Sequence, residues 1–265
     1  MRPKRRLGQN FLTGSAYPRR IVDAVNPAPD EPILEIGPGE GALTGLLLDA
    51  GARVTALEVD PDLRPHLLQL YGSNPRFNLL LADALLTNPC QLFPFDGRFR
   101  VVANLPYYIA TPLLQHLIAH RHCIAEMTLM LQREVVERIV APPGGREYGY
   151  LSVLVQLYAE VRRLFDVPPG AFRPVPKVTS SVIRLRLATA PRVEVADPAR
   201  LLLLARTLFA QRRKTILNNL RAGLGPLAID SAARLPALLD AASIDPQRRP
   251  ETLDLAELAR LTDLI

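Results

Sequence analysis

Ile33-Leu34-Glu35-Ile36-Gly37-Pro38-Gly39-Glu40-Gly41 is the stretch on which the fold turns. A short apolar run stops at alternating glycines, and a helix-like segment, Ala42 to Ala50, follows with Gly51 as its C-terminal stop. A buried strand running through a glycine turn into a helix opens a βαβ unit. Glycine permits positive φ and close backbone approach, and N–H groups at a helix start attract an anion. The spacing is GxGxG, which departs from the dinucleotide pattern GxGxxG.

The same alternation recurs outward from this stretch. Arg53 to Val59 is a second strand-like run ending at Glu58 and Asp60, and Phe77 to Ala82 is a third ending at Asp83. Arg100 to Ala103 is a fourth ending at Asn104, and Met127 to Leu131 is a fifth running into a helix from Glu134 to Val140. Upstream, a basic arm over residues 1–12 precedes a short helix with Ile21, Val22 and Val25 at helical spacing. Strands alternating with helices predict parallel βαβ units and an open, doubly wound α/β sheet. Leu151 to Leu157 is a short, mostly apolar run and stays open between helix and strand. Val161 to Val167 and Ser181 to Leu187 are expected as an antiparallel pair finishing the sheet, with Pro168 to Lys177 between them too rich in proline for regular structure. After Pro191 Leu and Ala recur at helical spacing without a strand signal. The expected organisation is an α/β domain over 1–190 and a small all-α domain over 191–265.

Composition narrows the class. The chain has 265 residues, 48% of them hydrophobic, a formal charge of +6 and a pI near 9.7. A basic balance points to a polyanionic partner. No run is long and apolar enough to cross a bilayer, so no membrane partner is expected. Cys90 and Cys123 have no CxxC or disulfide-framework spacing, which predicts unpaired thiols in a reducing compartment. The basic N-terminus lacks the apolar segment of a secretory signal, and cytoplasmic residence is expected.

Ligands in open α/β sheets bind at the carboxyl ends of strands. Glu58 lies about twenty residues after the glycine turn, where a carboxylate meets ribose hydroxyls. Asp83 ends the third strand and is suited to accept from an adenine amine. Asn104-Leu105-Pro106-Tyr107 ends the fourth, since Pro106 cannot donate to a ladder. There an amide is placed to accept from an exocyclic amine, and an aromatic ring to stack on a base. The plainer readings make Glu58 and Asp60 helix caps, Asp83 a turn residue and Asn104 part of an ordinary turn. All of these in one register favour a site for an adenosine-containing cofactor.

Gln9-Asn10-Phe11-Leu12, Glu35-Ile36-Gly37-Pro38-Gly39, Glu58-Val59-Asp60, Asp83-Ala84, Asn104-Leu105-Pro106-Tyr107, Phe172-Arg173-Pro174-Val175-Pro176-Lys177-Val178 and Gln211-Arg212-Arg213-Lys214-Thr215 occur in this order. With these motifs the chain resembles, over nearly its whole length, the ribosomal RNA adenine N6,N6-dimethyltransferases of the KsgA type, which act on the small subunit. The resemblance implies a Rossmann-like S-adenosylmethionine methyltransferase fold, a mostly parallel seven-stranded sheet with an antiparallel final strand, followed by a helical C-terminal domain. By motif position it implies Asn10, Leu12, Gly37, Glu58, Asp83 and Asn104 as cofactor contacts. Asn104, Leu105, Pro106 and Tyr107 are the implied catalytic group, with Phe172 as a candidate second face for the target base. Ala82 before Asp83 and Tyr108 after Tyr107 depart from the residues usual there, and neither removes a functional group.

RNA contact is expected from a stretch of one sign. Between Pro198 and Ile229 lie Arg200, Arg206, Arg212, Arg213, Lys214 and Arg221 and no acidic residue. Arg206 with Arg213, and Lys214 with Arg221, are spaced to share a helical face. Arg5, Arg6 and Lys177 are further candidates for phosphate contact. His116, His120, His122 and Cys123 match no zinc spacing, and no metal is expected. The expected partner is the small ribosomal subunit with its 16S RNA, met by a monomer. Two alternatives are a large-subunit methyltransferase of the macrolide-resistance type and a non-catalytic RNA-binding assembly factor on the same fold.

Overall fold

The structure is a computed structural model that describes residue 4 and residues 8–93, 97–106 and 109–265. Arg5, Arg6, Tyr107 and Tyr108 lie outside the described residues. The strands are β1 (Phe11–Leu12), β2 (Pro32–Ile36), β3 (Arg53–Glu58), β4 (Phe77–Leu81), β5 (Phe99–Asn104), β6 (Ile124–Gln132), β7 (Ala159–Val167), β8 (Phe172–Arg173) and β9 (Ser180–Leu187). The helices are α1 (Ala16–Val25), α2 (Thr44–Asp49), α3 (Arg64–Tyr71), α4 (Ala110–Ala119), α5 (Arg133–Val140), α6 (Tyr150–Tyr158), α7 (Pro198–Leu208), α8 (Ile216–Ala222), α9 (Leu235–Ala241) and α10 (Leu255–Leu264).

The chain divides into two compact units. One comprises Met1–Val136 and Glu160–Leu187, the other Glu137–Ala159 and Ala188–Ile265. The helical unit therefore includes Glu137–Ala159 in addition to the tail that sequence composition sets apart.

The first unit is Rossmann-like. Its seven-stranded sheet has the order β4-β3-β2-β5-β6-β9-β7. The pairs β2–β3, β2–β5, β3–β4 and β5–β6 are parallel, and β6–β9 is antiparallel. Central β2 is buried from Ile33 to Ile36, as expected of a parallel strand covered on both faces. The chain leaves β2 toward β3 and β4 on one side and returns as β5 on the other. That reversal opens a crevice at the carboxyl ends of β2 and β5. The last strand in sequence, β9, inserts beside β6 and leaves β7 at the edge. Exposed Glu160 and Arg162 and half-buried Arg163 on β7 discourage pairing with another chain. Glu126 of β6 lies 3.6 Å from Arg100 of β5, and 3.5 and 3.2 Å from Arg184 and Arg186 of β9, an ionic cluster spanning the three strands.

Helix α1 buries Ile21, Val22 and Val25 and stops at Asn26, whose left-handed φ of 48° lets its N–H donate to Val22 O. Two expectations are corrected here. Phe172-Arg173, read as irregular, forms β8 and pairs antiparallel with β1, because Pro174 ends the strand only after two residues have paired. Cys90 and Cys123, read as unpaired, are joined in a disulfide, because the 3-10 turn Pro89–Gln91 reaches the start of β6.

In the second unit α6 settles the open stretch as a helix: Val153, Leu154, Val155 and Leu157 are buried together with Ser152, and a helix buried on most sides has little polar face to reveal its period. Asp197 caps α7 by accepting from Ala199 N–H and Arg200 N–H. Asp254 and Glu257 form a capping box on α10, and Arg248 clamps Glu257 at 2.5 and 3.0 Å. The expected shared helical faces are corrected. Helix α7 ends at Leu208 and α8 starts at Ile216, so Arg212, Arg213 and Lys214 occupy the turn between them. Thr215 caps α8 by accepting from Asn218 N–H, which forces the break.

Candidate active site

A cavity of about 250 Å³ opens at the carboxyl edge of the sheet. Asn10, Leu12, Gly37, Glu58, Asp83 and Asn104 all line it, and so do Leu105 and Pro106. Residues from four strand ends and from the N-terminal arm thus meet in one place.

Asn104 is the last residue of β5. Leu105 N–H still donates to Met130 O at 3.2 Å, and Pro106 then stops the ladder. The Asn104 side chain donates from Nδ2 to Asn10 O at 3.1 Å, which orients the amide and leaves Oδ1 as its acceptor.

The glycine turn works differently from the sequence expectation. Gly37, Gly39 and Gly41 all have positive φ, 70°, 59° and 87°. Helix α2 begins only at Thr44, and Gly39 N–H donates to Glu58 Oε2 at 3.3 Å. The expectation of an anion held at a helix start is corrected: the turn serves a carboxylate of the chain itself. At Gly41 a side chain is excluded by Tyr71, since a Cβ there would stand 2.7 Å from the Tyr71 ring. Tyr71 in turn donates its hydroxyl to Gly41 O at 3.0 Å.

Glu58 is buried, and its other oxygen accepts from Asp60 N–H at 2.8 Å. Burial pushes its carboxyl up from the ordinary range, against the pull of these backbone donors. Asp60 caps the 3-10 turn Pro61–Leu63 by accepting from Asp62 N–H, as the plainer reading holds. Asp83 is exposed, and its Oδ1 accepts from Leu85 N–H at 2.9 Å, so it builds a turn and lines the cavity at once.

Glu35 was legible only as part of a motif. It lies in β2, lines the cavity, is 1% exposed and accepts from Thr44 Oγ1 at 2.7 Å. Burial pushes its carboxyl up to about 7. A lone Glu inside an apolar strand core was the available signal.

The arm forms one wall. Phe11 and Leu12 pair with Arg173 and Phe172, and Thr13 N–H donates to Ala171 O at 2.8 Å. Lys4 Nζ lies 2.5 Å from both Asp60 and Asp62, and Gln9 Nε2 donates to Asp60 Oδ2 at 2.9 Å. Burial would raise the Asp60 carboxyl, but the Lys4, Gln9 and Asp62 donors outweigh it and hold it below the usual range. Sequence reasoning missed this tether, whose signal was the pairing of Lys4 with the acidic Asp60-Pro61-Asp62.

Phe172 does not offer an open face for a base. It is 3% exposed, belongs to the apolar core with Val167, Ala171 and Val182, and reaches the site only by pairing with Leu12. Arg206, Arg212, Arg213, Lys214 and Arg221 are exposed on α7, on the following turn and on α8. Arg212 also donates to Arg146 O. Arg200, half-buried, donates to Leu227 O at 3.1 Å and so has a structural role. Lys177 is exposed in the loop before β9.

The family model described as ribosomal RNA adenine dimethylase matches residues 1–260. The ribosomal RNA small subunit methyltransferase A of Hahella chejuensis is 44% identical over 262 residues, covering 99% of this chain and 92% of that protein. Among solved structures, a dimethyladenosine transferase from Plasmodium falciparum superposes with a TM-score of 0.76 at 26% identity, covering 95% of each chain. The 23S rRNA methyltransferase ErmE superposes with a TM-score of 0.71 at 28% identity, covering 96% of this chain and 99% of that one.

Proposed function

The chain belongs to the ribosomal RNA adenine dimethylase family, and from that premise we infer that it is an S-adenosylmethionine-dependent enzyme dimethylating N6 of adenosines in small-subunit ribosomal RNA. The observation that carries this reading is the meeting of the glycine turn, Glu58, Asp83 and Asn104-Leu105-Pro106 in one cavity.

The residues fit the cofactor. S-adenosylmethionine carries no phosphate, and Gly39 N–H is engaged by Glu58. Glu58 is placed for ribose hydroxyls, Asp83 for the adenine amine, and Asn10, Leu12 and Gly37 for the remaining walls. When bound, the cofactor supplies a methyl group made electrophilic by a sulfonium.

The chain's task is then to orient an amine whose lone pair is delocalised into its ring. Asn104 Oδ1 accepts one amine hydrogen, and the Leu105 carbonyl accepts the other. Both bonds favour a pyramidal nitrogen with its lone pair directed along the line of attack. The Asn104–Asn10 bond keeps the oxygen, not the NH2 group, available for that task. Tyr107 stacks on a base taken out of its helix. Pro106 fixes the turn that presents this group. The proton leaves the amine only as the new bond forms, so no strongly basic side chain is required. Phe172 acts by holding the arm through β8 instead of stacking on the base.

RNA phosphates are met by Arg206, Arg212, Arg213, Lys214 and Arg221, with Lys177, Arg5 and Arg6 as further contacts. The protein works on the small subunit as a monomer in the cytoplasm. Among the described residues no helix is long and apolar enough to cross a membrane.

The test is methyl transfer from labelled S-adenosylmethionine to unmethylated small subunits, large subunits and naked RNA, followed by nucleoside analysis. Dimethyladenosine in small-subunit RNA is expected. Label confined to large-subunit RNA would overturn the substrate assignment, and no transfer to any substrate would favour a binding factor.

A further inference from the structure

Away from the cofactor cavity, two loops bring soft metal ligands together. Cys90 sits in the 3-10 turn Pro89–Gln91, while His122 and Cys123 precede β6, with Cys123 33 residues further along the chain. The two sulfurs and a ring nitrogen of His122 all lie within 4.8 Å of one another. His122 Nε2 is 3.1 Å from Cys90 Sγ. Cys123 is buried, Cys90 half-buried and His122 exposed, so one side of the cluster stays open to solvent.

Backbone bonds hold both arms of the cluster. Cys90 N–H donates to Asn88 Oδ1 at 3.0 Å, and Cys123 N–H donates to His120 O at 3.1 Å. His116 Nε2 lies 2.9 Å from Thr87 O, joining α4 to the segment that carries Cys90. The donors therefore come from two supported turns.

We propose that when Cys90 and Cys123 are reduced, their thiolates and His122 form a site for Zn2+, with water in the fourth position. A set of two sulfurs and one imidazole suits zinc, which favours four-coordinate Cys and His sites and keeps an open position where only three protein ligands exist. The disulfide occupies both sulfurs, so metal binding is gated by their oxidation state. With a water-soluble phosphine as reductant, the phosphine takes the oxygen of one water and supplies two electrons. The two protons of that water go to the two sulfurs, giving two thiols. Zinc then displaces those protons as it binds the thiolates. Spacing along the chain suggested no such site, because His116, His120, His122 and Cys123 read together leave out Cys90.

The test uses the full chain, stripped by chelator, with and without phosphine reduction, then equilibrated with Zn2+, desalted and assayed for bound metal. The reduced protein is expected to retain about one equivalent, one ion for the single three-ligand site, and the oxidised protein none. Cys90→Ser and His122→Ala should each weaken retention at least about tenfold in the reduced state, the size of loss that follows removal of a ligand or its support. His122 is exposed, so its variant keeps the fold, which far-ultraviolet circular dichroism checks. Co2+ in place of Zn2+ should show thiolate charge-transfer bands only after reduction. Equal retention by oxidised and reduced protein, or full retention by both variants, would overturn the proposal. Thiols that bond only to His120 O, 3.2 Å from Cys123 Sγ and 3.9 Å from Cys90 Sγ, would give that result.

Discussion

At the carboxyl edge of the sheet, Glu58, Asp60 and Asn104 are each tied to a backbone group: Gly39 and Asp60 N–H on Glu58, Asp62 N–H on Asp60, and Asn10 O on Asn104. Along Arg206–Arg221 in the helical unit, the basic side chains stand exposed on a helix, a turn and a second helix. The first arrangement places each group for one task, as a reacting centre requires. The second offers charge without a fixed direction, which is all that contact with a phosphate backbone would need. Removing one member should therefore be severe at the edge and mild on the helices.

The largest expected effect is at Asn104. Asn104→Ala should lower turnover on unmethylated small subunits by about 10²–10³-fold, the scale of losing one directed hydrogen-bonding group. Cofactor affinity by isothermal titration should change far less. Abolished cofactor binding with intact single-turnover chemistry would reverse the role assigned to this residue.

Next comes Glu35, held in the same edge by burial. Its carboxyl is raised from 4.5 to about 7, so between these values the folded chain holds a proton that the unfolded chain releases. Stability then falls as pH rises through that window and is flat above it. The total loss is on the order of 3 kcal/mol, since each tenfold change in proton affinity is worth about 1.4 kcal/mol. Glu35→Gln keeps an acceptor for Thr44 and removes the ionisation. Urea unfolding at pH 5 and pH 8 should show the variant gaining on the parent as pH rises, and a constant difference would contradict the buried proton.

Gly41→Ala tests the turn that carries Gly39 to Glu58. The new methyl meets Tyr71 at 2.7 Å with φ at 87°, and a loss of about 1–3 kcal/mol is expected. Adding Tyr71→Ala should recover the steric part but not the backbone part, so thermal melts of the single and double variants separate the two causes.

The smallest effect should be at Arg213. Arg213→Ala is expected to weaken RNA binding by less than about tenfold and to lower the slope of log affinity against log salt by about one. A loss as severe as that of Asn104→Ala would erase the contrast between the two regions.

Much of the edge was legible because its signals are local. The strand runs ending at Glu58, Asp83 and Asn104 follow from apolar runs interrupted by polar or turn residues, and parallel pairing aligns those ends. The glycine turn was recognised, but not its purpose: the excluding group at Gly41 is Tyr71, thirty residues on. Phe172 shows the same limit. Its motif marks it as close to the site, yet burial in the core removes the face that stacking on a base would need. The basic stretch was visible as charge, while the cap at Thr215 decided that it does not form one helical face.

By itself the sequence determined the alternation of strands and helices, the polar strand ends that line the cavity and the acid-free basic stretch, since each is written in neighbouring residues and their period. Only the tertiary structure decided that β9 lies between β6 and β7, that Lys4 ties the arm to Asp60, that burial pushes the Glu35 carboxyl up to about 7, and that Cys90 meets His122 and Cys123. Those outcomes depend on which distant segments pack together and on how far water is excluded between them, quantities that no local pattern of residues encodes.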